Sequence, residues 1–185
     1  MRACLVTLAA ALAAGYRLVE RGGLTVDAGL GRRVRPLGPL RVAMAAPPAT
    51  VFDVIADPYL GRTPHALEAK LTVLERSSDM VLAAHHTQVG PRTVTTLETV
   101  RFTRPERVDF RLVRGPVPHV VESYSLQATA TGTELVYTGE IGADLWALGS
   151  WWARLVGASW ERTVAASLEQ VRIEAEGRAG RRPAL

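Results

Sequence analysis

The stretch "AAPPATVFDVIADPYLGRTP", residues 45–64, decides the expected fold because it separates two kinds of periodicity. Before it, the run "GPLRVAMAA" alternates apolar and polar residues, which predicts a β-strand over residues 40–46. Pro47 and Pro48 end that strand, since proline cannot donate a backbone hydrogen bond to a sheet. Proline is tolerated in the first turn of a helix, so Pro48 or Ala49 can begin one.

Within the same stretch, apolar residues recur at helical spacing. They are Val51, Phe52, Val54 and Ile55. The residue before a proline is biased away from helical geometry, so we expect this short helix to end at Asp57-Pro58. A second short helical turn is expected through residues 59–62 before Pro64.

The rest of the chain is predicted to form strands and then one long helix. Six strand-like segments are separated by turn residues and cover residues 69–75, 80–88, 92–103, 108–114, 120–130 and 134–141. Because no helix intervenes between them, we expect an antiparallel meander. The long helix is expected from about residue 145 or 150 to 176. Its apolar stripe comprises Val156, Trp160, Val164, Leu168, Val171 and Ala175.

Three motifs in this order resemble the START/Bet v 1-like superfamily, also described as the SRPBCC-type polyketide cyclase/dehydrase and lipid transport family. They are "APPATVFDVIADP", "TGTELVYTGEI" and "WWARLVGASWERTVAASLEQV". The resemblance covers residues 39–176. It implies an α+β helix-grip fold, in which a curved antiparallel sheet of about seven strands wraps a long C-terminal helix. Two short helices follow the first strand. Because this superfamily includes lipid carriers, hormone receptors, cyclases and oxygenase subunits, the resemblance does not fix an activity.

The positive charge lies at the two ends of the chain. Residues 1–41 carry seven arginines and two acidic residues, and residues 178–185 carry three arginines. Residues 42–177 carry twelve basic and sixteen acidic residues, a net charge of −4. A nucleic-acid-binding domain normally presents a basic face, so no nucleic-acid partner is expected. Basic ends suit an anionic membrane surface, although solvated tails of an arginine-rich protein explain them equally well.

The N-terminus predicts an apolar helix followed by a linker. Residues 3–16 form an apolar run, which is short for a membrane-spanning helix. We divide the chain into a membrane-anchor helix (1–21), a Gly/Arg-rich linker (22–38), a ligand-binding domain (39–178) and a basic tail (179–185). Since the arginines follow the apolar run, we expect membrane association through residues 1–35, with the domain facing the cytoplasm. Export after signal-peptide cleavage and a soluble cytoplasmic protein remain alternatives.

Many inward-facing positions are small, which favours an internal ligand cavity. The candidate cavity residues are His85, Thr96, Glu98, Glu122, Tyr124, Tyr137, Gly139, Trp152, Val156 and Trp160. Alternation does not decide whether His85 or His86 faces the cavity, although adjacent strand residues cannot both do so. Two explanations stay open for the carboxylates: contact with a ligand or proton exchange, or a frayed strand end or an ion pair with Arg101 or Arg114. Four tryptophans that fold inward would instead fill the cavity.

Three functions follow as hypotheses. The first is that the domain binds or transports a small hydrophobic or amphipathic ligand, lipid-like or polyketide-like. On this hypothesis the domain is a carrier or sensor and not an enzyme. The second is a cyclase- or dehydrase-like enzyme that uses an inward histidine, Tyr124 and Glu122 for acid–base chemistry. The third is a protein-interaction module with a filled core. No metal site and no cofactor are predicted, and Cys4 is the only cysteine. The oligomeric state is left open.

Overall fold

A computed structural model describes residue 10, residues 13–61 and residues 65–181 of the protein. The strands are β1 (Arg33–Met44), β2 (Leu71–Arg76), β3 (Met80–Val89), β4 (Arg92–Thr103), β5 (Arg107–Arg114), β6 (His119–Thr129) and β7 (Gly132–Ala143). The helices are α1 (13–20), α2 (Pro48–Leu60), α3 (His65–Glu68) and α4 (Trp146–Arg181).

All seven strands form one antiparallel sheet in the order β1-β7-β6-β5-β4-β3-β2. Each strand from β2 to β7 pairs with its neighbour in sequence, and β1 closes the sheet against β7. Helix α4 packs on β1 and β7, and α2 packs on α4. The predicted α+β helix-grip fold and antiparallel meander are therefore confirmed.

The first strand is longer than the predicted residues 40–46. It begins at Arg33, which pairs with Ala143 at the end of β7. Its register shifts between Leu37 and Leu40, where Gly38 adopts a left-handed φ of 73°. This irregularity interrupts the alternation, so the sequence pattern revealed only the second half of the strand.

The predicted break at Asp57-Pro58 is wrong, because α2 continues through Pro58 to Leu60. Pro58 lies in the last turn, where its fixed φ suits a helix and only one backbone hydrogen bond is lost. The amide of Gly61 then closes the helix by donating to the carbonyl of Asp57. The second helix starts later than expected, at His65. Arg62, where the second turn was expected to end, lies outside the described residues.

The described part of the N-terminal helix, α1, is short and includes Arg17 and Glu20, so it is not clearly apolar. Most of the apolar run over residues 3–16 lies outside the described residues. Within residues 13–61 and 65–181, no helix combines the length and hydropathy needed to cross a membrane.

The long helix presents the predicted stripe to the sheet. Val164, Leu168 and Ala175 are buried, whereas Arg162 and Glu169 are exposed. The helix begins at Trp146, next to the first of the two predicted starting positions, residue 145. It extends five residues beyond Glu176, to Arg181.

Candidate ligand-binding site

The concave face of the sheet carries two buried carboxylates, Glu98 on β4 and Glu122 on β6. Alternation in each strand aims them inward, because Val100 and Val120, two residues away in their respective strands, are fully packed in the core. A carboxylate in such surroundings requires hydrogen-bond partners or a shifted pKa. Both features are present.

Glu98 is paired with His85. The Nδ1 atom of His85 lies 3.2 Å from Oε2 of Glu98, and the Thr96 hydroxyl donates a hydrogen bond of 2.6 Å to Oε1 of Glu98. On the other side of the imidazole, Nε2 of His85 is 2.8 Å from the hydroxyl of Tyr59. A continuous polar chain therefore runs from α2 through β3 to β4.

The register of β3 decides which histidine faces inward. Val81 and Ala83 are buried, and His85 continues their face. His86 points to the opposite face, where its ring nitrogens lie 3.1 Å from the hydroxyls of Thr72 and Thr95.

Electrostatics favour an ion pair between His85 and Glu98. Burial opposes a charge on His85, but the attraction and hydrogen bond of Glu98, helped by Glu122, raise the pKa of the imidazole. Burial likewise opposes a charge on Glu98, but His85 and Thr96 lower the pKa of the carboxyl overall. Each group keeps the other charged in a region with little water.

Glu122 is in the opposite electrostatic situation. Its Oε1 accepts hydrogen bonds from the Tyr137 hydroxyl at 2.6 Å and from the Trp160 indole at 2.7 Å. Burial, followed by repulsion from Glu98, outweighs these bonds and raises the pKa of Glu122 to about 7. Near neutral pH this carboxyl therefore exchanges between its acid and base forms.

Gly139 provides the space for Glu122. The two residues face each other across β6 and β7, and a Cβ at Gly139 would lie 3.1 Å from Cγ of Glu122 and 2.8 Å from the carbonyl oxygen of Val121. A larger residue here would displace the carboxylate or the strand.

Aromatic rings line the space between the two carboxylates. Their centroids are 5.0–6.3 Å apart along a continuous series. The series is Phe52, Phe102, Tyr59, Phe110, Tyr124 and Tyr137. Burial raises the pKa of the Tyr124 phenol, so this group stays protonated. Its hydroxyl makes no hydrogen bond to any residue in the described part of the chain.

Several side chains on the concave side keep part of their surface accessible. Tyr59, Tyr124 and Trp160 are only half-buried, and the His85 side chain is 21% exposed. Tyr124 lies on the same face of β6 as the buried Glu122 and its ring contacts that of the buried Tyr137. A molecule in this space would meet aromatic faces and several polar groups.

Two depressions lie elsewhere on the surface. The larger, of about 570 Å³, lies beside Pro48, Pro105 and Leu126, and the smaller, of about 380 Å³, lies beside Pro47 and Gly132. Both are open to solvent, and neither is lined by any of the ten candidate residues.

The four tryptophans divide into two pairs. Trp160 reaches Glu122, and the Trp152 indole donates to the Pro116 carbonyl at 2.8 Å, away from the two carboxylates. Trp146 and Trp151 are more than half exposed, so the alternative in which all four fill the interior is wrong for these two.

Eight of the ten candidates form one cluster, which includes the two carboxylates. These are His85, Thr96, Glu98, Glu122, Tyr124, Tyr137, Gly139 and Trp160. Trp152 turns towards Pro116, and Val156 packs against the core from α4. The alternative ion pair with Arg101 is wrong, because Arg101 pairs with Asp79 at 2.7 Å. Within the described residues, Arg114 contacts neither carboxylate.

Sequence reasoning missed Tyr59. It lies at helical spacing from Phe52 and Ile55 on the buried side of α2. The expected helix end at Asp57-Pro58 separated Tyr59 from that stripe. Extending the apolar spacing through Pro58 would have placed it in the interior.

Comparison with known proteins agrees with this fold. The sequence matches the family described as polyketide cyclase / dehydrase and lipid transport over residues 40–176. No curated protein sequence matches the chain.

Several solved structures have the same fold. The ZhuI aromatase/cyclase from Streptomyces sp. R1128 is 20% identical, with a TM-score of 0.63 over 80% of this chain and 95% of that one. TTHA0849 from Thermus thermophilus is 18% identical, with a TM-score of 0.59 over 80% of this chain and 97% of that one. The di-domain ARO/CYC StfQ from the steffimycin biosynthetic pathway is 18% identical, with a TM-score of 0.57 over 81% of this chain and 52% of that one.

The fold and the concave polar cluster define a helix-grip domain of the ligand-binding type. The chain belongs to the polyketide cyclase/dehydrase and lipid transport family.

Proposed function

We propose that the domain binds a small amphipathic molecule, lipid-like or polyketide-like, on the concave face of its sheet. The carrying observation is the half-buried Tyr124, which belongs to the aromatic series and whose hydroxyl makes no hydrogen bond to the described residues. The partly accessible rings of Phe102 and Tyr59 offer apolar surface to such a ligand, and Tyr124 offers a hydrogen-bond donor.

Charge supports a polar but uncharged or weakly acidic head group. The His85–Glu98 pair is internally neutral, and Glu122 is about half protonated near neutral pH. A ligand carbonyl or hydroxyl would accept a hydrogen bond here without adding a charge to the site. A strong anion would face two carboxylates, and burying an unpaired charge is costly.

We further propose that the N-terminal region holds the domain at a membrane. The apolar run over residues 3–16 and the arginines that follow it support this proposal. The expected site of the domain is the cytoplasmic face.

Fluorescence titration of the full chain with 1-anilinonaphthalene-8-sulfonate, followed by displacement with a long-chain fatty alcohol, tests ligand binding. We expect saturable binding that the alcohol reverses. Tyr124→Phe should weaken alcohol binding by roughly three- to tenfold, because it removes one hydrogen bond of about 1 kcal/mol.

The matched control is Tyr16→Phe, which makes the same change on the exposed face of α1 and should leave displacement unchanged. If no probe enters the folded protein, the interior is filled. The protein-interaction hypothesis then replaces ligand binding.

A second candidate function is acid–base catalysis on a polyketone. The observation that favours it is the pKa of about 7 at Glu122, close to that of an efficient general base, next to a protonated His85 that can serve as an acid. Glu122 would remove a proton from a carbon between two carbonyls, the resulting carbanion would attack another carbonyl of the same chain, and His85 would protonate the new alkoxide.

Product analysis with a poly-β-keto thioester mimic distinguishes the two functions. Catalysis predicts cyclised product whose rate falls at least about a hundredfold in Glu122→Gln, since general-base catalysis typically contributes that much. Equal product distributions with and without the protein would leave binding as the function.

A further inference from the structure

The first turns of α4 expose an unusually apolar face to solvent. Between Trp146 and Ala158, the exposed positions carry a single charge, that of Arg154. Four large apolar side chains there are 50–63% exposed. They are Trp146, Leu148, Trp151 and Leu155. Several large apolar side chains exposed on neighbouring turns of a folded domain indicate a surface that binds a partner.

The remainder of the helix does not continue this pattern. Beyond Glu161, the exposed face carries Arg162, Glu169 and Glu174 among other polar residues. Only Ile173 is a large apolar side chain exposed in this part. Along α4, the exposed apolar character is therefore concentrated in the first turns.

A second segment extends this surface. Four side chains between residues 24 and 34 are 43–57% exposed. They are Leu24, Val26, Leu30 and Val34. Backbone hydrogen bonds join this segment to α4, since the amide of Leu145 donates to Leu30 and that of Trp146 donates to Gly31. We call the combined surface of these four residues, Leu145 and the four on α4 the apolar end.

Asp144 fixes the two parts of the apolar end together. Its buried carboxylate accepts hydrogen bonds from the amides of Ala28 and Gly29 at 2.7 and 2.8 Å, and from the guanidinium of Arg32 at 2.7 Å. The Arg32 bond, more than any other contact, lowers the pKa of Asp144, so the anchor stays charged. The segment is thus held in one conformation beside α4.

The backbone is strained where it presents these side chains. Leu145 and Trp146 have positive φ values of 70° and 48°, which residues with a Cβ rarely adopt. Gly31 packs so closely on the Trp146 ring that a Cβ there would overlap it. Strain of this kind persists only where the surroundings enforce it, and here the result is an exposed Trp.

The charge around the apolar end indicates its partner. Its two acidic residues, Asp27 and Asp144, both pair with Arg32, and with Arg33 and Arg154 the arginines of this region outnumber the acidic residues by one. Arg33 and Arg154 are exposed beside the apolar side chains. Tryptophan and leucine flanked by arginine suit the boundary between lipid head groups and acyl chains. The sequence that precedes α1 is also apolar, and most of it lies outside the described residues.

We propose that the apolar end docks on an anionic lipid bilayer, with Trp146, Leu148, Trp151 and Leu155 at the acyl boundary and Arg33 and Arg154 among the phosphates. This inference rests on the membrane association proposed above for residues 1–35 and adds a folded contact to it. It also sets the orientation of the domain, with the first turns of α4 against the membrane.

Tryptophan fluorescence separates this contact from the tether, because residues 1–35 contain no tryptophan. The full chain is mixed with vesicles of phosphatidylcholine and phosphatidylglycerol that carry brominated acyl chains, which quench only nearby indoles. We expect quenching in the wild type and its loss in the double variant W146F/W151F, since Trp152 and Trp160 are hydrogen-bonded inside the domain. Unquenched wild-type protein on the vesicles, or quenching that survives in W146F/W151F, overturns the proposal.

A second comparison uses charge. W151E/L155E should raise the lipid concentration needed for half-maximal binding by roughly tenfold or more. The reason is that two large apolar side chains would no longer be available to move from water into the lipid. Leu155→Glu alone should also weaken binding, whereas Ile173→Glu, which places the same single charge on an equally exposed residue of α4 outside the apolar end, should bind like the wild type. If sedimentation velocity shows a dimer that W151E/L155E dissociates, the apolar end binds a second copy, and the membrane assignment falls.

Discussion

Trp160 of α4 donates its indole N–H to Oε1 of Glu122 on β6 over 2.7 Å, and the Tyr137 hydroxyl donates to the same oxygen. This bond joins the long helix to the sheet through a carboxyl group rather than through apolar packing alone. Any change that moves α4 should therefore affect Glu122, whose pKa is raised to about 7.

Trp160→Phe should reduce the free energy of unfolding by about 2–3 kcal/mol, from the lost hydrogen bond and the smaller ring. It should also raise the pKa of Glu122 further, because the Trp160 bond lowers it. Urea denaturation gives the first quantity, and carboxyl carbon NMR titration gives the second. Trp151→Phe, on the exposed face, should cost less than about 0.5 kcal/mol. A Glu122 titration identical in wild type and Trp160→Phe would argue against the bond.

Stability should fall as pH rises through neutrality, and Glu122 should account for much of the fall. Its folded-state pKa of about 7 lies above the ordinary value of 4.5, so its stabilising contribution is complete below about pH 4.5 and is lost as pH rises through 7. Glu122→Gln keeps the hydrogen-bond acceptor and cannot ionise. Between pH 5 and 8 the wild type should lose about 2–3 kcal/mol more than Glu122→Gln.

His85 contributes in the same direction, because its folded-state pKa is raised above 6.5. Glu98 is the main cause of this rise and is present in both proteins, so only the smaller effect of Glu122 on His85 differs between them. Chemical denaturation at each pH measures the difference. Parallel stability curves for wild type and Glu122→Gln would show that the carboxyl is not buried with a raised pKa.

Val164→Asp should destabilise the domain by about 3 kcal/mol or more. Val164 is 7% exposed on the face of α4 that meets the sheet, and aspartate there would be a buried charge without a partner. Arg162→Ala, two residues away on the exposed face, should change stability by less than about 0.5 kcal/mol. Thermal melting of both variants tests this, and equal losses would contradict the assignment of the helix faces.

The absence of a side chain at Gly157 of α4 makes room for Arg35 of β1. The Arg35 guanidinium lies where a Cβ at position 157 would be. The same guanidinium lies 3.5 Å from Glu161 one turn along. In an Arg35→Ala background, Gly157→Ala should stabilise the protein by about 0.5–1 kcal/mol through its better helix propensity.

In the wild type, the same Gly157→Ala change must displace Arg35, so we expect the gain to disappear. A double-mutant cycle measured by urea denaturation gives the coupling between the two positions. A gain of the same size in both backgrounds would mean that the guanidinium does not pack on the helix.

Local periodicity in the sequence was sufficient for the order of strands and helices and for most of the inward faces, but it did not decide which face of β3 points inward. The two-residue repeat placed Glu98 and Glu122 inside, and the helical repeat placed Val164 and Leu168 against the sheet, as the structure has them. Those patterns depend only on strand and helix geometry, which neighbouring residues determine. Where a residue interrupts the pattern, as Gly38 and Pro58 do, the predicted boundary was displaced.

Contacts between distant segments were beyond the sequence alone. Tyr59 meets His85 across 26 positions, Trp160 meets Glu122 across 38, and Asp144 holds residues 28–32 beside α4. Each contact depends on strand register, on the curvature of the sheet and on where α2 ends, and no local pattern encodes these. The tertiary structure therefore decided which carboxylate is ionised and which is near neutrality, because burial and partners set a pKa and the identity of the residue does not.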